Sequence, residues 1–481
     1  MKESIWSEDR RPRSGVDKNE SDPSDIKELG VRSVLQQDYD RLLFSTPVRR
    51  LADKTQVWPM DENDGVRTRL THSHEVANLA RSIGTRVFHR VPDMFEGINL
   101  EETIQPILLS IGLGHDLGNP PFGHQGEAAI GRWFDDRKDW IFSHLSAAQA
   151  SDGIDCPISE ETRSEFLKFD GNPQSLRLLT KLQTHVEYMG LDLSAATLAA
   201  SLKYPVAVSG VDKNNSLSKK FGYFESEKNI VEWIRSCTGL KEGQRHYLTW
   251  IMEACDDIAY SVLDVDDILK KSMLSPDDVL IELRRAVPDT EVVKKIEKRF
   301  LGVESGGRNP IIQRDIKIQY LRASLIESLI SEASNNFVKE SGLIRQFQLK
   351  SALLDGSDLC DALKDVARQY AFGHCAVLRA EAIGARAITD LMSAFWDAIT
   401  SRSDHTKLDS RRSTAKAAYV YALISPNYIE EALNAAKSSG VAASMRYREL
   451  RLLTDMISGM TDSFAMKVWK DVSEIHDVDS S

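Results

Sequence analysis

The chain has 481 residues, an ordinary apolar content of 42% and a net charge of −11, from 61 basic and 72 acidic residues. This length predicts more than one domain's worth of hydrophobic core. No apolar stretch is long enough to span a membrane, and the first residues lack the apolar core of a signal peptide. We therefore expect a cytoplasmic protein without a membrane partner. The acidic balance disfavours broad coating of nucleic acid, so an anionic ligand would need a metal ion or a few focused basic side chains.

Residues 1–27 are charged and carry Ser and Pro, which predicts a mobile polar tail. From Leu29 onward most apolar residues recur at helical spacing. YPVAV (204–208) and FGYF (221–224), separated by a polar loop, predict a small hairpin. The expected fold is therefore all-α, a mainly helical arrangement with at most this small β-hairpin.

Two transitions suggest how the chain is divided. GVESGGRN (302–309) is the clearest flexible interruption, and a softer transition lies near residues 272–278. We expect one unit over 28–275, after the tail, and a C-terminal helical region over 276–481. The five cysteines show no CxxC pair and predict reduced, mostly packed thiols rather than a disulfide or zinc framework. They are Cys156, Cys237, Cys255, Cys360 and Cys375.

The first candidate metal ligands are His115 and Asp116. An apolar helix runs directly into this pair, and Gly118, Asn119 and two prolines then end it. An imidazole and a carboxylate at the end of a buried helix are costly unless something compensates for their desolvation. A divalent cation would do so.

A third candidate ligand is His72. It shares a helix face with Val76 and Leu79, whereas His74 lies roughly 200° around the helix from that position. The spacing therefore favours His72 over His74, although any single histidine is more often an ordinary polar residue.

The segment MEACDDIAYSVLD (252–264) suggests a fourth ligand. Asp256, Tyr260 and Asp264 fall at successive fourth positions and predict one polar stripe on an apolar helix. Asp257 points about 100° away. An exposed acidic edge is the alternative interpretation, and it is weakened by the apolar residues that surround the stripe.

These segments resemble the HD-domain superfamily and, within it, the deoxynucleoside triphosphate triphosphohydrolases, or dGTPase-like enzymes. The resemblance covers nearly the whole chain, from about residue 30 to 465. It is highly specific because the histidine–aspartate set occurs together with GNPPFGHxGE and EAxDDIxY in this order. The segments that carry it are RRLADKTQVWP (49–59), RTRLTHSHEV (67–76), GHDLGNPPFGHQGE (114–127), FDGNPQSLRLL (169–179), LKYP (202–205), KKFGYFESE (219–227), MEACDDIAYSVLD (252–264) and RLLTDMISGMTDSFA (451–465).

The resemblance implies the same four metal ligands, His72, His115, Asp116 and Asp256. Mixed histidine and carboxylate ligation suits a hard or borderline cation, and the family implies Mn²⁺ or Mg²⁺, one ion rather than two. The family also implies that a His and a Glu at the positions of His124 and Glu127 form the catalytic acid/base pair. Their division of roles stays open, and the alternative is that they only terminate the loop and cap the next helix.

The substrate contacts are implied by the same resemblance. Gln56 and Asp264 would bind the 3′-hydroxyl of the sugar, and Tyr260 would leave no room for a 2′-hydroxyl. Lys219 competes with Lys220, because adjacent residues leave the register open. The implied phosphate contacts are Arg69, Asn172, Lys203 and Lys220. The alternatives are a surface salt bridge for Arg69 and ordinary packing for Tyr260.

The implied reaction is hydrolysis of a dNTP at the α-phosphorus, giving a deoxynucleoside and tripolyphosphate. The family points to dGTP as the leading candidate, although no motif specifies the base. Two alternatives are kept: another HD phosphohydrolase, such as a nucleotidase or a guanosine tetraphosphate hydrolase, and a regulatory dNTP- or single-stranded-DNA-binding protein with weak turnover.

The resemblance also implies that 28–275 is the metal-dependent phosphohydrolase core and that 276–481 completes the site and contributes oligomer contacts. The implied assembly is a homo-oligomer, a hexamer or a tetramer, with dNTP or single-stranded DNA as candidate allosteric ligands. The arginine-bearing segment SMRYRELRLL (444–453) would line a shared surface or approach a triphosphate. Its alternative is a solvated amphipathic helix.

Overall fold

The structure is a computed structural model that describes residues 4–12, 32–58, 65–142, 158–288 and 290–475. Over these residues the chain is built from helices and contains only two isolated β-bridges outside them. The predicted all-α fold is therefore confirmed. Within the same residues, no helix combines the length and the apolar character needed to cross a membrane.

The α-helices are numbered in chain order, and short π-helical or 3-10 turns lie between several of them. They are α1 (Val34–Leu43), α2 (Thr46–Arg50), α3 (Arg69–Arg90), α4 (Gln105–Gly114), α5 (Gly123–Asp135), α6 (Lys138–Ile141), α7 (Glu160–Leu167), α8 (Gly171–Thr180), α9 (Ala195–Ser201), α10 (Lys228–Thr238), α11 (Tyr247–Ile258), α12 (Asp264–Lys270), α13 (Pro276–Ala286), α14 (Glu291–Glu304), α15 (Pro310–Arg345), α16 (Asp358–Ala367), α17 (Cys375–Thr400), α18 (Ala415–Ala422), α19 (Pro426–Asn434), α20 (Met445–Ser458) and α21 (Asp462–Glu474).

Helix α3 buries the face that its sequence pattern predicts. His72, Val76, Leu79 and Ile83 are buried on this face, whereas His74 is exposed. The spacing of these residues follows the helical repeat. The face packs against α4 and α11, so the first turns of α3 bring His72 to the place where the other two helices end.

Helices α3 and α4 approach closely because α4 carries a glycine at their contact. A Cβ built on Gly112 would lie 2.5 Å from the Cα of Ala77, closer than real side chains pack. Two hydrophobic clusters fill the interior, and helices from both sides of residue 275 contribute to each. The first includes α3, α4, α11 and α15, and the second includes α5, α8, α17 and α20.

The small hairpin that the fold prediction allowed at most is not formed. Segments 204–208 and 221–224 do lie side by side, with the backbone N–H of Gly222 donating to Val206 O at 3.0 Å. Neither segment forms a strand. Their side chains are nevertheless buried, with Tyr204, Val206, Phe221 and Tyr223 at most 4% exposed, and Phe221 and Tyr223 belong to the second cluster. The β-branched and aromatic residues here thus serve packing rather than a sheet.

Most of the predicted mobile tail (1–27) lies outside the described residues, but residues 4–12 pack against the body of the protein. The Trp6 ring meets the ring of His246 edge-on, with centroids 4.9 Å apart. Arg10 forms an ion pair with the buried Asp38 at 2.8 Å. For the cysteines, Cys156 lies outside the described residues, and the remaining four are free thiols, three of them buried.

The arginines of segment 444–453 neither line a surface nor lie on a solvated helix. Helix α20 is buried along its whole length. Arg451 pairs with Glu165 at 2.6 Å and Arg446 with Glu449 at 3.1 Å. The shared surface and the solvated helix are therefore wrong, because Glu165 of α7 neutralises Arg451 and Glu449 of α20 itself neutralises Arg446 inside the protein. An approach of this segment to a triphosphate stays a prediction.

The α3–α4 contact predicts opposite effects for two Gly→Ala substitutions. Gly112→Ala should destabilise the protein by about 1–3 kcal/mol, because the new methyl overpacks the contact with Ala77. Gly342→Ala, in the exposed last turns of α15 where a Cβ meets nothing within 4 Å, should stabilise it by about 0.4–1 kcal/mol. Urea midpoints at unchanged slope measure both. Equal stability of the two variants would contradict the packing argument.

Candidate metal centre and active site

Three side chains from three helices converge on one point. His72 Nε2 lies 3.4 Å and His115 Nε2 3.5 Å from Asp256 Oδ1. Their ligand atoms all lie within 4.8 Å of one another, a spacing that could hold a metal ion. His72 comes from the start of α3, His115 follows the end of α4, and Asp256 lies in the last turn of α11.

The donor atoms of this cluster fit a cation. His72 Nε2 and His115 Nε2 are buried and have no hydrogen-bond partner within the described part of the chain. His115 Nδ1 lies 2.7 Å from Gly112 O, which favours the tautomer with the proton on Nδ1. This leaves the lone pair of Nε2 directed at the cluster, as in metal-binding histidines. A buried polar atom without a partner is costly, and a bound ion would satisfy both nitrogens at once.

The charged groups of the cluster shift one another's pKa values. Burial lowers the pKa of His72. Burial also acts to lower the pKa of His115, but Asp116 and Asp256 raise it to about 9. Against the effect of burial, His115 and Lys203 hold the pKa of Asp256 well below its usual range. The carboxylate is therefore ionised at neutral pH, and an entering cation would replace the proton of His115.

Asp116 lies at the edge of the cluster. Its Oδ1 is 3.6 Å from His115 Nε2, and its Oδ2 is 4.0 Å from His72 Nε2. Arg69 donates to Oδ2 at 2.5 Å, and Asn119 Nδ2 donates to Oδ1 at 2.7 Å. Asp116, the predicted fourth ligand, is thus adjacent to the other three and is held by Arg69. Arg69 itself was predicted to contact a phosphate. The role of Asp116 as a ligand stays a prediction.

The predicted acid/base pair is formed at the start of α5. His124 Nδ1 lies 3.3 Å from Glu127 Oε2, and Glu127 Oε1 accepts from the backbone N–H of Gly171 at 2.8 Å. The hydrogen bond to Glu127 raises the pKa of His124. Phe122 and Gly123 both have positive φ angles and form a sharp turn. The helix therefore starts at Gly123, earlier than the start near Glu127 that the sequence suggested. The turn presents His124 to solvent.

The predicted phosphate contacts already bond to carboxylates in this structure. Lys203 Nζ lies 3.5 Å from Asp256 Oδ2 and 3.8 Å from Glu253 Oε1. Lys220 forms an ion pair with Asp170. Asn172 Nδ2 donates to that same Asp170, at 2.6 Å.

A cleft of about 520 Å³ opens beside His124 and Glu127. Lys219 and Lys220 both line it, so its lining does not decide between them. It is lined by His124, Glu127, Ala128, Gly131, Arg132, Asp135, Leu167, Lys168, Phe169, Asp170, Val208, Val211, Lys219, Lys220 and Phe221.

The predicted sugar contacts are divided between two environments. Tyr260 is partly accessible and stacks on Phe372, with ring centroids 5.6 Å apart and planes 16° from parallel. Asp264 is fully buried, and Arg67 donates to its Oδ1 at 2.5 Å. Burial raises the pKa of Asp264 to about 7, although Arg67 opposes the shift. Asp264 Oδ2 and Gln56 Oε1 have no hydrogen-bond partner among the described residues.

A π-helical turn, Ala259–Leu263, lies between Asp256 and Asp264 in the predicted polar stripe. Such a turn accommodates one extra residue and is frequent at functional sites. Asp264 therefore departs from regular α-helical spacing and is buried, while Asp256 stays partly accessible. The expected continuous stripe is not formed, because the sequence pattern assumed an uninterrupted α-helix.

Sequence reasoning missed several residues that support the site. Arg67 and Asn119 lie inside the motifs quoted above, so their position was the available clue. Lys54 and Asp462 are buried and bond to the turn between α4 and α5. Asp462 also lies inside a quoted motif, segment 451–465, but nothing local indicates its role, because its partners lie 340 and 407 residues away along the chain.

The fold and the site define an all-α protein with a histidine–aspartate pocket suited to a metal ion. No family model matches the chain. A deoxyguanosinetriphosphate triphosphohydrolase-like protein of Listeria monocytogenes is 32% identical over 97% of this chain and 98% of its own length. A probable deoxyguanosinetriphosphate triphosphohydrolase of Pseudomonas aeruginosa is 30% identical (92% and 93%), and a deoxyguanosinetriphosphate triphosphohydrolase of Klebsiella pneumoniae is also 30% identical (92% and 94%). The chain belongs to this deoxyguanosinetriphosphate triphosphohydrolase-like family.

The geometry of the cluster predicts different roles for the two histidines at the start of α3. Saturating Mn²⁺ should stabilise the metal-free wild type by about 2.7 kcal/mol when the ion is present at a hundred times its Kd. His72→Ala should abolish this gain, and the exposed His74→Ala should keep it. Thermal unfolding with and without Mn²⁺ measures the effect. A full gain in His72→Ala would contradict the assignment.

Proposed function

We propose that the protein hydrolyses a deoxynucleoside triphosphate at the α-phosphorus, releasing deoxynucleoside and tripolyphosphate. The observation that carries the proposal is the cluster of His72, His115 and Asp256, with its unpartnered imidazole nitrogens. The His124–Glu127 pair follows it at the start of the next helix along the chain. The names of the relatives support this reaction and make dGTP the leading candidate substrate. The neighbouring cationic side chains support a polyanionic substrate.

A divalent cation, Mn²⁺ or Mg²⁺, would be held by His72, His115, Asp256 and Asp116, and would supply positive charge to a phosphoryl oxygen and to the attacking water. Arg69 would move from Asp116 to the substrate and neutralise the α-phosphate. Asn172, Lys203 and Lys220 would bind the rest of the triphosphate. Their present carboxylate partners support this role, because the same side chains already bind oxygen anions.

His124 would donate a proton to the leaving oxygen, and Glu127 would orient it. The raised pKa of His124 supports the acid role, because the protonated ring persists to higher pH. Glu127 is itself held by the backbone N–H of Gly171, so its carboxylate stays directed at the imidazole. Proton transfer of this kind contributes about 10²–10⁴-fold to a rate.

Discrimination for the deoxy sugar would come from three residues. Tyr260, held flat by its stacking on Phe372, would lie against C2′ and exclude a 2′-hydroxyl. Gln56 and Asp264 would bind the 3′-hydroxyl, and their unpartnered oxygens support this pairing. The C-terminal region after residue 275 would complete the site. The oligomer, its allosteric ligands and the cytoplasmic location stay predictions.

Product analysis tests the reaction. Incubation with each dNTP and with GTP, in Mn²⁺ or Mg²⁺, should release deoxynucleoside and tripolyphosphate in equal amounts and should spare GTP. Asp256→Ala should lose this activity, because it removes the carboxylate at the centre of the cluster. Orthophosphate or pyrophosphate as the product would favour a nucleotidase or a tetraphosphate hydrolase. A biological effect that survives in Asp256→Ala would favour a binding protein.

The pH dependence tests the acid role of His124. Its pKa is raised in the folded protein, so an activity that needs the protonated ring is present below that pKa and lost as pH rises through it. Glu127→Gln should move this alkaline limb to lower pH and reduce kcat by about 10²–10⁴-fold. The exposed Glu160→Gln should change neither. An alkaline limb that stays in place in Glu127→Gln would exclude the pair as its source.

A further inference from the structure

Two segments that carry proposed substrate and catalytic residues are joined by a carboxylate from the far end of the chain. Asp462, in the first turn of α21, is 2% exposed. Its Oδ1 accepts from the backbone N–H of Phe122 at 3.1 Å. Its Oδ2 accepts from the backbone N–H of Thr55 at 3.1 Å and also from the Thr55 hydroxyl. Phe122 precedes His124 by two residues, and Thr55 precedes Gln56 by one.

The turn at Phe122 needs such a partner. Phe122 has a φ of 61°, a conformation that costs a non-glycine residue roughly 1–2 kcal/mol. Its ring packs on α17, where a Cβ on Gly384 would lie 2.4 Å from it. The side chain is therefore held by α17, and the backbone N–H is held by Asp462. Together they set the direction in which α5 starts and presents His124.

A second bond ties the same segments together one residue away. Lys54 is buried, and its Nζ donates to Asn119 O at 2.5 Å and to Ser458 O at 2.8 Å. Burial lowers the pKa of Lys54 to about 7, although Asp462 acts in the opposite direction. Asp462 and Lys54 thus hold together three segments: the one before Gln56, the turn after α4 and the α20–α21 junction. None of their bonds involves a proposed metal ligand.

We propose that Asp462 is a positioning residue that sets the spacing between Gln56 and His124, and thereby the preference for a substrate with a 3′-hydroxyl. The inference rests on the proposed function. Gln56 can bind the sugar only while its segment keeps its place relative to the catalytic turn, and Asp462 bonds to both. A displacement of about 1 Å can cost on the order of 10²-fold in rate. Loss of the Asp462 bonds should therefore change substrate specificity as well as stability.

Asp462→Asn is the test variant, because an amide cannot replace both acceptors. Its NH₂ group must face either the N–H of Phe122 or the donors of Thr55, and a donor facing a donor forms no bond. The readout is the ratio of kcat/KM for a dNTP to that for its 2′,3′-dideoxy analogue, measured on one preparation. This ratio does not depend on the folded fraction. We expect it to fall at least tenfold, with a lower kcat for the dNTP.

Asp53→Asn is the matched control. Asp53 accepts from Ser463 Oγ at 2.8 Å at an exposed position, so it joins the same two segments without reaching the site, and its ratio should equal that of the wild type. Thr55→Val, which removes only the hydroxyl donor, should lower the ratio less, and it carries the test if Asp462→Asn does not fold. An unchanged ratio in a variant as active as wild type overturns the inference alone. A wild type inactive on all four dNTPs overturns the proposed function and the inference with it.

Discussion

The close approach of α3 and α4 is the constraint on which the site depends. Gly112 lets the backbones meet at Ala77, and this contact brings the rings of His72 and His115 to a centroid distance of 5.3 Å. Their buried Nε2 atoms have no partner among the described residues, which costs roughly 1–3 kcal/mol for each. A fold selected for stability alone would pair or replace these atoms. Their retention in a tightly packed contact is therefore an argument that the pocket has a function.

The parts of this arrangement that follow from local periodicity could be predicted from the sequence. Helical spacing placed His72 on the buried face of α3 and His74 outside it, as the structure has them. The same reasoning separated Asp256 from Asp257, which turns away and pairs with Lys364 at 2.7 Å. The helix-ending pattern after His115 likewise located the turn that leads to His124 and Glu127. Each of these features depends on neighbours within a few residues.

The rest depends on contacts between distant segments, which no local pattern encodes. Segments 204–208 and 221–224 resemble strands in sequence because they are rich in β-branched and aromatic residues. The same residue types also occur in segments buried in a helical core, so composition alone does not distinguish the two. An arginine such as Arg451 is predicted to lie at a surface, but it is buried because Glu165, on another helix, neutralises it at 2.6 Å. Asp462 is the extreme case, because the partners that reveal its role lie hundreds of residues away. The π turn in the Asp256 helix escapes the pattern for a different reason: it changes the period itself.

On the proposed function, the cations of the site would let a chain of net charge −11 receive a polyanion. Four carboxylates around the pocket are each paired with a cation: Asp116 with Arg69, Asp256 with Lys203, Asp170 with Lys220, and Asp264 with Arg67. On the proposed function, Asp116 and Asp256 would hold a cation that neutralises their negative charge, and Arg69 and Lys203 would then be free to bind phosphate. Arg67 differs, because it also bonds to Asp267 at 3.0 Å and is buried. It cannot be released by one ion, so its role is to hold Asp264 in place rather than to bind substrate.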